Sequence, residues 1–335
     1  MNVIEPSSTY MSTEGLTPYQ FMEKAGRTCY KSLDKITKDS AVKFVSGLMK
    51  SGHTAMLEHS HIILKVEKEC ALDFIQVICN NDFDINGTKV RVANYFNISN
   101  CNEFYIISGS FRAFSALFDN NFDSKLSKAL SIMKVIHINY PELFRDVDIE
   151  DDIEDDIKMV TILTRNEFIK FAKTYSSNEV ENNRLISRHL THTVLFVCDR
   201  GVTHEFVRHR PASFAQESTR YCNYSKDKFG NQITVIRPCF FEKGTEEYDI
   251  WYNGCLSDEK TYFALLDKGC IAQQARDNLP TSVKTEIIIT ATEDEWQHII
   301  NLRYHGTTGK PHPQMVQSMS LVYDELCKRS DNRLS

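Results

Sequence analysis

The sequence predicts a mixed α/β (α+β) fold, and three observations lead to this prediction. Segments rich in β-branched residues alternate along the chain with segments in which apolar residues have helical spacing. The composition is 41% apolar and 25% charged, which is typical of a globular protein and excludes collagen-like, disordered and low-complexity chains. Neither GxGxxG nor GxxxxGKS/T occurs, so a Rossmann dinucleotide fold and a P-loop NTPase are not expected.

In the first half of the chain, the predicted elements begin with a helix. Helical spacing runs over residues 17–50, and Gly52 suits the end of that helix because glycine readily adopts the left-handed conformation found there. A strand over 61–66, a helix over 71–78 and a strand over 103–107 follow. Asparagine-rich loops surround the last of these strands.

In the second half, the segment Arg188–Arg210 is predicted to be one continuous element. If it is a helix, Arg200, His204 and Arg208 share one face, and Pro211 ends it. The remaining predicted elements are a strand over 232–236 and helices over 273–278, 293–301 and 314–329.

The length of 335 residues predicts either two domains or one domain with a large insertion. One internal similarity bears on this choice. The segments Glu103–Asp119 and Glu286–Asn301 both combine a strand, a small polar turn and a helix. Chance similarity between two such units is the default interpretation, and an accessory copy of the second segment is the alternative.

Charge and cysteine content limit the partners and the compartment. A net charge of −6 gives no basic surface for nucleic acid or for an anionic membrane. Residues 146–156 carry eight carboxylates in eleven positions, which indicates a solvated loop rather than a cation site. Ten cysteines without a CxxC pair indicate reduced thiols. With neither a membrane-length apolar run nor a leader-like amino terminus, a soluble cytoplasmic protein is expected.

The densest group of polar side chains spans residues 203–221. It contains three arginines, two histidines, one glutamine and four serine or threonine hydroxyls within 19 positions. Arginine forks and hydroxyl groups are suited to phosphate, so a phosphorylated small molecule is favoured over nucleic acid for this acidic chain. An exposed, charged end of a helix is the alternative interpretation of the same residues.

The same segment carries a recognisable motif. Arg208-His209-Arg210, seven residues and then Ser218 reproduce the RHR-x7-S signature of the flavin-dependent thymidylate synthases, the ThyX family. Other segments resemble that family in the same order along the chain. They are GRTCY at 26–30, GHTAMLEH at 52–59, ARDNLP at 275–280 and EWQHIINLR at 295–303.

The resemblance implies an activity and an organisation. A ThyX-like protein makes dTMP from dUMP, with methylenetetrahydrofolate as carbon donor and FAD reduced by NADPH as hydride donor. It is a homotetramer with active sites shared between subunits. The matching segments lie roughly in 17–66 and 193–329, so residues 1–66 and 193–335 are expected to form the ThyX-like catalytic core. Residues 67–192 would then be a large internal insertion of unknown role.

The resemblance also assigns roles to individual residues. Arg303 matches the arginine that polarises uracil and favours loss of its N3 proton, a role that suits a permanently charged guanidinium. No metal is expected, since the histidine spacing around residue 53 fits no common zinc motif. The other residues matched to dUMP contacts are Glu205, Arg208, Gln216, Ser218, Thr219, Arg220 and Arg276. The residues matched to FAD contacts are His53, Glu58, Arg208, His209, Arg210, Gln216 and His298.

Two positions depart from the family pattern. Ala55 stands where a serine or threonine contacts FAD, and Asp294 stands where an arginine is often found. We expect Arg112, in the first of the two similar segments, to supply the missing cation. These departures keep open a catalytically impaired paralogue that binds nucleotide and flavin. An RNA-binding protein is a third alternative, disfavoured by the negative net charge.

Overall fold

The chain forms two compact units. The computed structural model describes residues 1–80, 82–85, 88–119, 127–143, 158–220, 222–226 and 229–335. The C-terminal unit consists of Met1–Ser12, Lys24–Lys35 and His192–Ser335, and the central unit consists of Thr13–Glu23 and Ile36–Thr191. The acidic run at 146–156, predicted to be a solvated loop, lies outside the described residues.

Helices and strands both contribute to each unit, so the predicted mixed fold class is confirmed. The strands are β1 (Asn2–Ile4), β2 (Ser7–Tyr10), β3 (His61–Glu67), β4 (Asp82–Ile85), β5 (Thr88–Arg91), β6 (Phe96–Cys101), β7 (Phe104–Ser110), β8 (Val160–Leu163), β9 (Thr191–Asp199), β10 (Ser213–Gln216), β11 (Thr234–Ile236) and β12 (Lys284–Thr292). The α-helices are α1 (Pro18–Cys29), α2 (Ser40–Lys50), α3 (Lys68–Asn80), α4 (Phe111–Asp119), α5 (Ser127–Asn139), α6 (Arg165–Tyr175), α7 (Glu179–His189), α8 (Arg200–Phe206), α9 (Glu246–Asp267), α10 (Ala272–Ala275), α11 (Glu293–Ile300) and α12 (Pro313–Arg329). Across the described ranges, no helix has the length and apolar character that a membrane span needs.

The central unit is built on an antiparallel sheet with the strand order β6-β7-β3-β8. Its core contains an aromatic cluster in which the Phe96 ring meets Phe74 at 5.5 Å and Phe114 at 4.9 Å, both edge to face. Gly109 of β7 makes this packing possible, because a Cβ atom there would lie 2.8 Å from the Phe96 ring. The predicted strands over 61–66 and 103–107 and the predicted helix over 71–78 are confirmed as β3, β7 and α3.

The C-terminal unit is built on a sheet with the strand order β10-β12-β9-β2, and β1 pairs separately with β11. The core lies where α8 and α11 cover β9. The Phe196 ring lies 4.6 Å from Phe206 and 6.4 Å from Trp296, and all three side chains are fully buried. The predicted strand over 232–236 and the predicted helices over 293–301 and 314–329 are confirmed as β11, α11 and α12.

The prediction of one continuous element over Arg188–Arg210 is wrong. Helix α7 ends at His189, strand β9 follows, and α8 begins at Arg200. Threonine, valine and phenylalanine dominate β9, and these residues favour a buried strand over a helix. Helix α8 ends at Phe206, so Arg208 lies beyond it and does not share a helix face with Arg200 and His204.

Other helices also differ from the prediction. The predicted helix over 17–50 is two helices, α1 and α2, separated by a 3-10 turn at Leu33–Lys35. Gly52 does follow α2 with a φ of +71°, as its position predicted. The long helix α9 was not predicted at all, although Thr245 before Glu246 is a typical start. The Thr245 side chain accepts a hydrogen bond from the Tyr248 backbone N–H.

The two units repeat the same order of elements. In the central unit β3 runs directly into α3 and β7 runs directly into α4, while in the C-terminal unit β9 runs into α8 and β12 into α11. The sheet orders β6-β7-β3 and β10-β12-β9 place these elements equivalently. The similar segments Glu103–Asp119 and Glu286–Asn301 are corresponding strand–helix pairs, β7–α4 and β12–α11. This shared topology favours an accessory copy over chance similarity.

Candidate functional site

The polar segment at 203–220 belongs to the C-terminal unit, where Asp199 fixes its position. The Asp199 Oδ1 atom accepts a hydrogen bond from the Val202 backbone N–H at 2.9 Å, which caps α8. Its Oδ2 atom accepts another at 2.8 Å from Gln314 on α12. Helix α8 and the turn after it are therefore tied to the start of α12.

Arg303 is the centre of the site. It lies in a π-helical turn, Asn301–His305, that continues α11, and such turns are frequent at functional sites. Its Nη1 donates to the Glu205 Oε2 at 2.7 Å, and its Nη2 donates to the Glu205 carbonyl oxygen at 3.2 Å. Its Nε lies 3.2 Å from the His209 Nε2. Two residues that the sequence assigned to different ligands, dUMP and FAD, thus meet at one guanidinium.

Helix α11 brings two further side chains to His209. The His209 Nδ1 lies 3.3 Å from the Glu295 Oε1, and the His209 and His298 rings are 5.5 Å apart in an edge-to-face arrangement. His209 is buried, whereas His298 is exposed. The sequence predicted His209 and His298 as neighbours at a flavin, but it did not identify Glu295 as a site residue.

The three side chains of His209, Glu295 and His298 have the composition of a metal site. Among the described residues, their ligand atoms lie within 4.8 Å of one another. However, the permanently charged Arg303 contacts the same His209 ring, and a neighbouring positive charge disfavours a bound cation. We therefore keep the interpretation, made from the sequence, that these residues bind no metal.

A buried ion network holds the helix that carries Glu295. The Glu293 carboxylate accepts two hydrogen bonds from Arg333, at 2.8 and 2.9 Å, and lies 2.8 Å from the His192 Nε2. The Trp296 indole N–H donates to the His192 carbonyl oxygen at 3.0 Å. These partners lower the pKa of Glu293, although its burial alone would raise it. The start of α11 is consequently rigid.

The predicted phosphate ligands lie just after β10. Ser218 and Arg220 are joined by a hydrogen bond of 3.4 Å from the Arg220 backbone N–H to the Ser218 Oγ, and the Arg220 side chain is exposed. Thr219 between them is buried. Arg276 lies in a 3-10 turn, with its Nε 3.9 Å from the Asp277 carboxylate. The exposed Arg220 guanidinium and the half-buried Ser218 hydroxyl suit an anion.

Gln216 and Glu217 point to opposite sides of the end of β10. The Gln216 amide donates to the Thr203 Oγ1 at 3.0 Å and to the Thr285 Oγ1 at 3.3 Å. Glu217 is buried and pairs with Lys284 at 2.9 Å. Gln216 is therefore held against α8, on the same side as the predicted nucleotide residues.

The ion network around Glu217 was not predicted from the sequence. Lys284 also pairs with Glu286 at 2.8 Å, and Lys31 contacts both carboxylates. Burial opposes the charge of Lys284, but the two carboxylates prevail and raise its pKa. A cavity of about 540 Å³ opens beside the network. Its lining includes Lys31, Glu217, Tyr224 and Lys284.

His53 and Glu58 belong to the central unit, unlike the other predicted site residues. His53 precedes the 3-10 turn Thr54–His59, in which Glu58 lies. The Glu58 carboxylate forms an ion pair with the Arg112 guanidinium. The cation expected to compensate for Asp294 thus contacts a carboxylate that was itself matched to FAD.

Among its described residues, the central unit repeats few of the polar side chains of the C-terminal site. Counted from the starts of α3 and α8, the fully buried Phe74 and Phe206 correspond. At the positions that correspond to Glu205, Arg208 and His209, the central unit has Asp73, Gln76 and Val77. In α4, the position of Glu295 is taken by Ala113 and that of His298 by Ala116. Conversely, Arg112 corresponds to Asp294.

A family model described as thymidylate synthase complementing protein matches residues 135–326. The match contains the turn after α8, β10 and Arg303. It includes part of the segment predicted as an insertion, and it leaves out residues 17–66 with His53 and Glu58. The predicted boundaries of a catalytic core and an insertion stay a prediction. The two compact units divide the chain near the second predicted boundary, between Thr191 and His192, but not at the first.

Among curated proteins, the chain is similar to flavin-dependent thymidylate synthases. That of Pyrococcus furiosus is 34% identical over 136 residues, which cover 41% of this chain and 54% of the relative. That of Geobacter sulfurreducens is 34% identical over 104 residues, which cover 31% of this chain and 43% of the relative. The chain thus spans about half the length of the curated relatives it matches.

Among solved structures, one similar chain is the UMP/dUMP methylase PolB from Streptomyces cacaoi bound with 5-Br dUMP. The TM-score is 0.38 at 17% identity, and the alignment covers 51% of this chain and 79% of that chain. The same methylase bound with 5-Br UMP aligns with the same TM-score at 16% identity, covering 51% of this chain and 81% of that one.

Proposed function

The chain belongs to the family described as thymidylate synthase complementing protein, and we propose from this membership that it methylates dUMP to dTMP in a flavin-dependent reaction. The observation that carries the proposal is the contact of Arg303 with both Glu205 and His209. One charged group thereby joins the residues matched to the nucleotide and the residue matched to the flavin. Arg208 and Arg210, which flank His209 in the chain, are exposed and can reach phosphate groups.

In the proposed reaction, Ser218, Thr219 and Arg220 bind the dUMP phosphate, with help from Arg276. Glu205, Arg208 and Gln216 contact the rest of the nucleotide. These residues orient the pyrimidine ring but supply no nucleophile, which fits a site whose reactive groups come from its ligands.

Arg303 acts on the pyrimidine ring in this proposal. A uracil carbonyl oxygen gains negative charge when N3 loses its proton, and a guanidinium held beside that oxygen stabilises the charge. In the structure, the guanidinium already forms an ion pair with the Glu205 carboxylate. The pyrimidine ring must therefore share Arg303 with Glu205. Glu205 keeps the guanidinium oriented while one edge of the guanidinium faces the substrate.

The flavin and the co-substrates are further parts of the proposal. FAD, when bound, supplies the hydride, NADPH reduces it, and methylenetetrahydrofolate supplies the carbon. The donor set that would hold FAD includes Arg208, Arg210 and His298, which are exposed and can reach a ligand, together with His209. Gln216 completes this set within the C-terminal unit, whereas His53 and Glu58 are matched to FAD by the resemblance alone. A homotetramer with shared active sites stays a prediction from the resemblance, and a cytoplasmic location stays a prediction from the composition of the chain.

A flavin assay tests the proposal. Purified protein reconstituted with FAD should be yellow, NADPH should bleach it faster when dUMP is present, and dTMP should form from methylenetetrahydrofolate. A colourless protein that takes up no FAD would contradict the proposal. The Arg303→Ala variant should keep the flavin spectrum but form little dTMP.

One observation favours a second candidate function, a paralogue that binds nucleotide and flavin without turnover. Asp294 and Glu295 add negative charge to α11, and the compensating Arg112 is paired with Glu58. Such a protein would still bind FAD and dUMP. It would form no dTMP even when a chemical reductant keeps the flavin reduced, which separates it from the enzyme.

A further inference from the structure

We infer that Glu295 is a positioning residue that holds Arg303 in place through the His209 ring between them. The inference extends the proposed function, because it takes Arg303 as the group that acts on the pyrimidine. It assigns a role to a carboxylate that the sequence did not identify. It also gives His209 a role toward Arg303 in addition to the flavin contact expected from the resemblance.

The first step of the argument concerns the proton on His209. Arg303 is permanently protonated, so its Nε can only donate a hydrogen bond. The His209 Nε2, 3.2 Å away, must then accept, and the ring must carry its proton on Nδ1. The Nδ1 atom faces the Glu295 carboxylate at 3.3 Å, which can only accept when ionised. The geometry therefore selects the neutral Nδ1–H tautomer.

The second step concerns what would happen without Glu295. Without Glu295, the buried Nδ1–H group would lose its acceptor, and a ring protonated on Nε2 instead would direct an N–H group at the Arg303 N–H, where neither group could accept the other's hydrogen. Because His209 is buried, solvent cannot relieve this mismatch. Arg303 would then lose the hydrogen bond at its Nε and keep only the two to Glu205.

The third step is a comparison within the chain. Thr292 caps α11 by accepting from the backbone N–H of Glu295, so Glu295 occupies the position at which a glutamate commonly turns back to the cap. Helix α6 shows that arrangement, since the Glu167 carboxylate accepts from the Thr164 backbone N–H at 2.8 Å. The Glu295 carboxylate is directed to His209 instead. We take this choice of partner as the sign of a role beyond capping.

Three variants separate positioning from a purely structural role. Glu295→Ala removes the acceptor, Glu295→Gln keeps an amide oxygen at the same reach, and Asp324→Asn removes an exposed carboxylate elsewhere. The holoprotein is labelled with ¹⁵N-histidine, and the His209 signal among the eleven histidines is assigned by its loss in His209→Gln. We expect the Nδ1–H tautomer in the wild type, Glu295→Gln and Asp324→Asn proteins, and a change of tautomer in Glu295→Ala.

Kinetics provide the second readout. In Glu295→Ala, kcat for dTMP formation should fall about 10-fold while the KM for dUMP changes less than about 3-fold, because the lost contact matters most as charge develops on the ring. Glu295→Gln should recover most of the rate. In an Arg303→Lys background, Glu295→Ala should cost less than about 2-fold, since both changes remove one linked interaction.

The two proposals fail in distinguishable ways. If the holoprotein forms no dTMP, the proposed function fails, and the tautomer of His209 still decides the inference. If His209 keeps its Nδ1 proton in Glu295→Ala, or if the loss is fully additive with Arg303→Lys, Glu295 is not a positioning residue.

Discussion

The Arg303 guanidinium donates to the Glu205 carboxylate at 2.7 Å and to the Glu205 carbonyl oxygen at 3.2 Å, so one residue accepts from both ends of the fork. Such two-point contact fixes the plane of an arginine, whereas a lysine offers only a point charge. The first prediction tests this distinction. Arg303→Lys should lower kcat for dTMP formation at least about 10-fold, although the charge is kept. Steady-state kinetics measure it, and near-normal turnover would refute the assigned role.

The second prediction concerns the phosphate of dUMP. Arg220→Ala should raise the KM for dUMP about 10-fold or more, because a charge-assisted hydrogen bond is lost, while kcat changes less. Arg329→Ala is the matched control, since Arg329 forms an exposed pair with Glu325 on α12. An unchanged KM in Arg220→Ala would remove Arg220 from the phosphate site.

The third prediction concerns the number of flavins. The central unit has Gln76 and Val77 where the C-terminal unit has Arg208 and His209, and the buried Val77 offers no donor to a ligand. We therefore expect one FAD per chain rather than two, measured by flavin absorbance against protein concentration. A ratio near two would mean that the central unit binds a flavin through other residues.

The fourth prediction concerns stability. Glu293→Gln should lower the free energy of unfolding by about 3 kcal/mol, because Arg333 and His192 lose a buried charged partner. Glu325→Gln, which disturbs only an exposed pair with Arg329, should cost less than about 1 kcal/mol. Urea unfolding of both variants provides the comparison. Equal losses would show that the Glu293 network contributes little.

The fifth prediction concerns acid. His189 is fully buried between Ser108 and Ser99, at 2.8 Å from each hydroxyl, and burial lowers its pKa from 6.5 to about 3. Between the two pKa values, the unfolded chain therefore binds more protons than the folded chain does. The stabilisation by the buried, neutral His189 is complete above about pH 6.5 and is lost as the pH falls toward 3.

The matched variant for acid sensitivity is His189→Gln. Its free energy of unfolding should depend on pH less steeply than that of the wild type, by up to about 1.4 kcal/mol per pH unit. Urea unfolding at several pH values between 4 and 7 gives both slopes. Identical slopes would mean that His189 does not contribute to the acid sensitivity.

Local sequence patterns predicted individual helices and strands correctly where one property of the residues, such as their preference for a strand or a turn, determines the conformation. β3 and β7 were predicted from β-rich runs, and Gly52 was correctly expected to follow a helix. The strand within Arg188–Arg210 was not predicted, because the charged residues of this segment also fit a helical spacing. Only pairing with a neighbouring strand makes residues 191–199 extended. Likewise the shared order of the two sheets depends on long-range pairing that no local pattern contains.

The sequence by itself determined the family, the mixed fold class and most of the residue types at the site, since the RHR-x7-S motif and the tail segment are local strings. Only the tertiary structure decided their partners. Glu205 lies 98 positions before Arg303 in the chain, and the packing of α8 and α11 on β9 brings both residues to the site around the buried His209. The physical reason is that a hydrogen bond depends on distance and direction in space. Those quantities are set by the whole core.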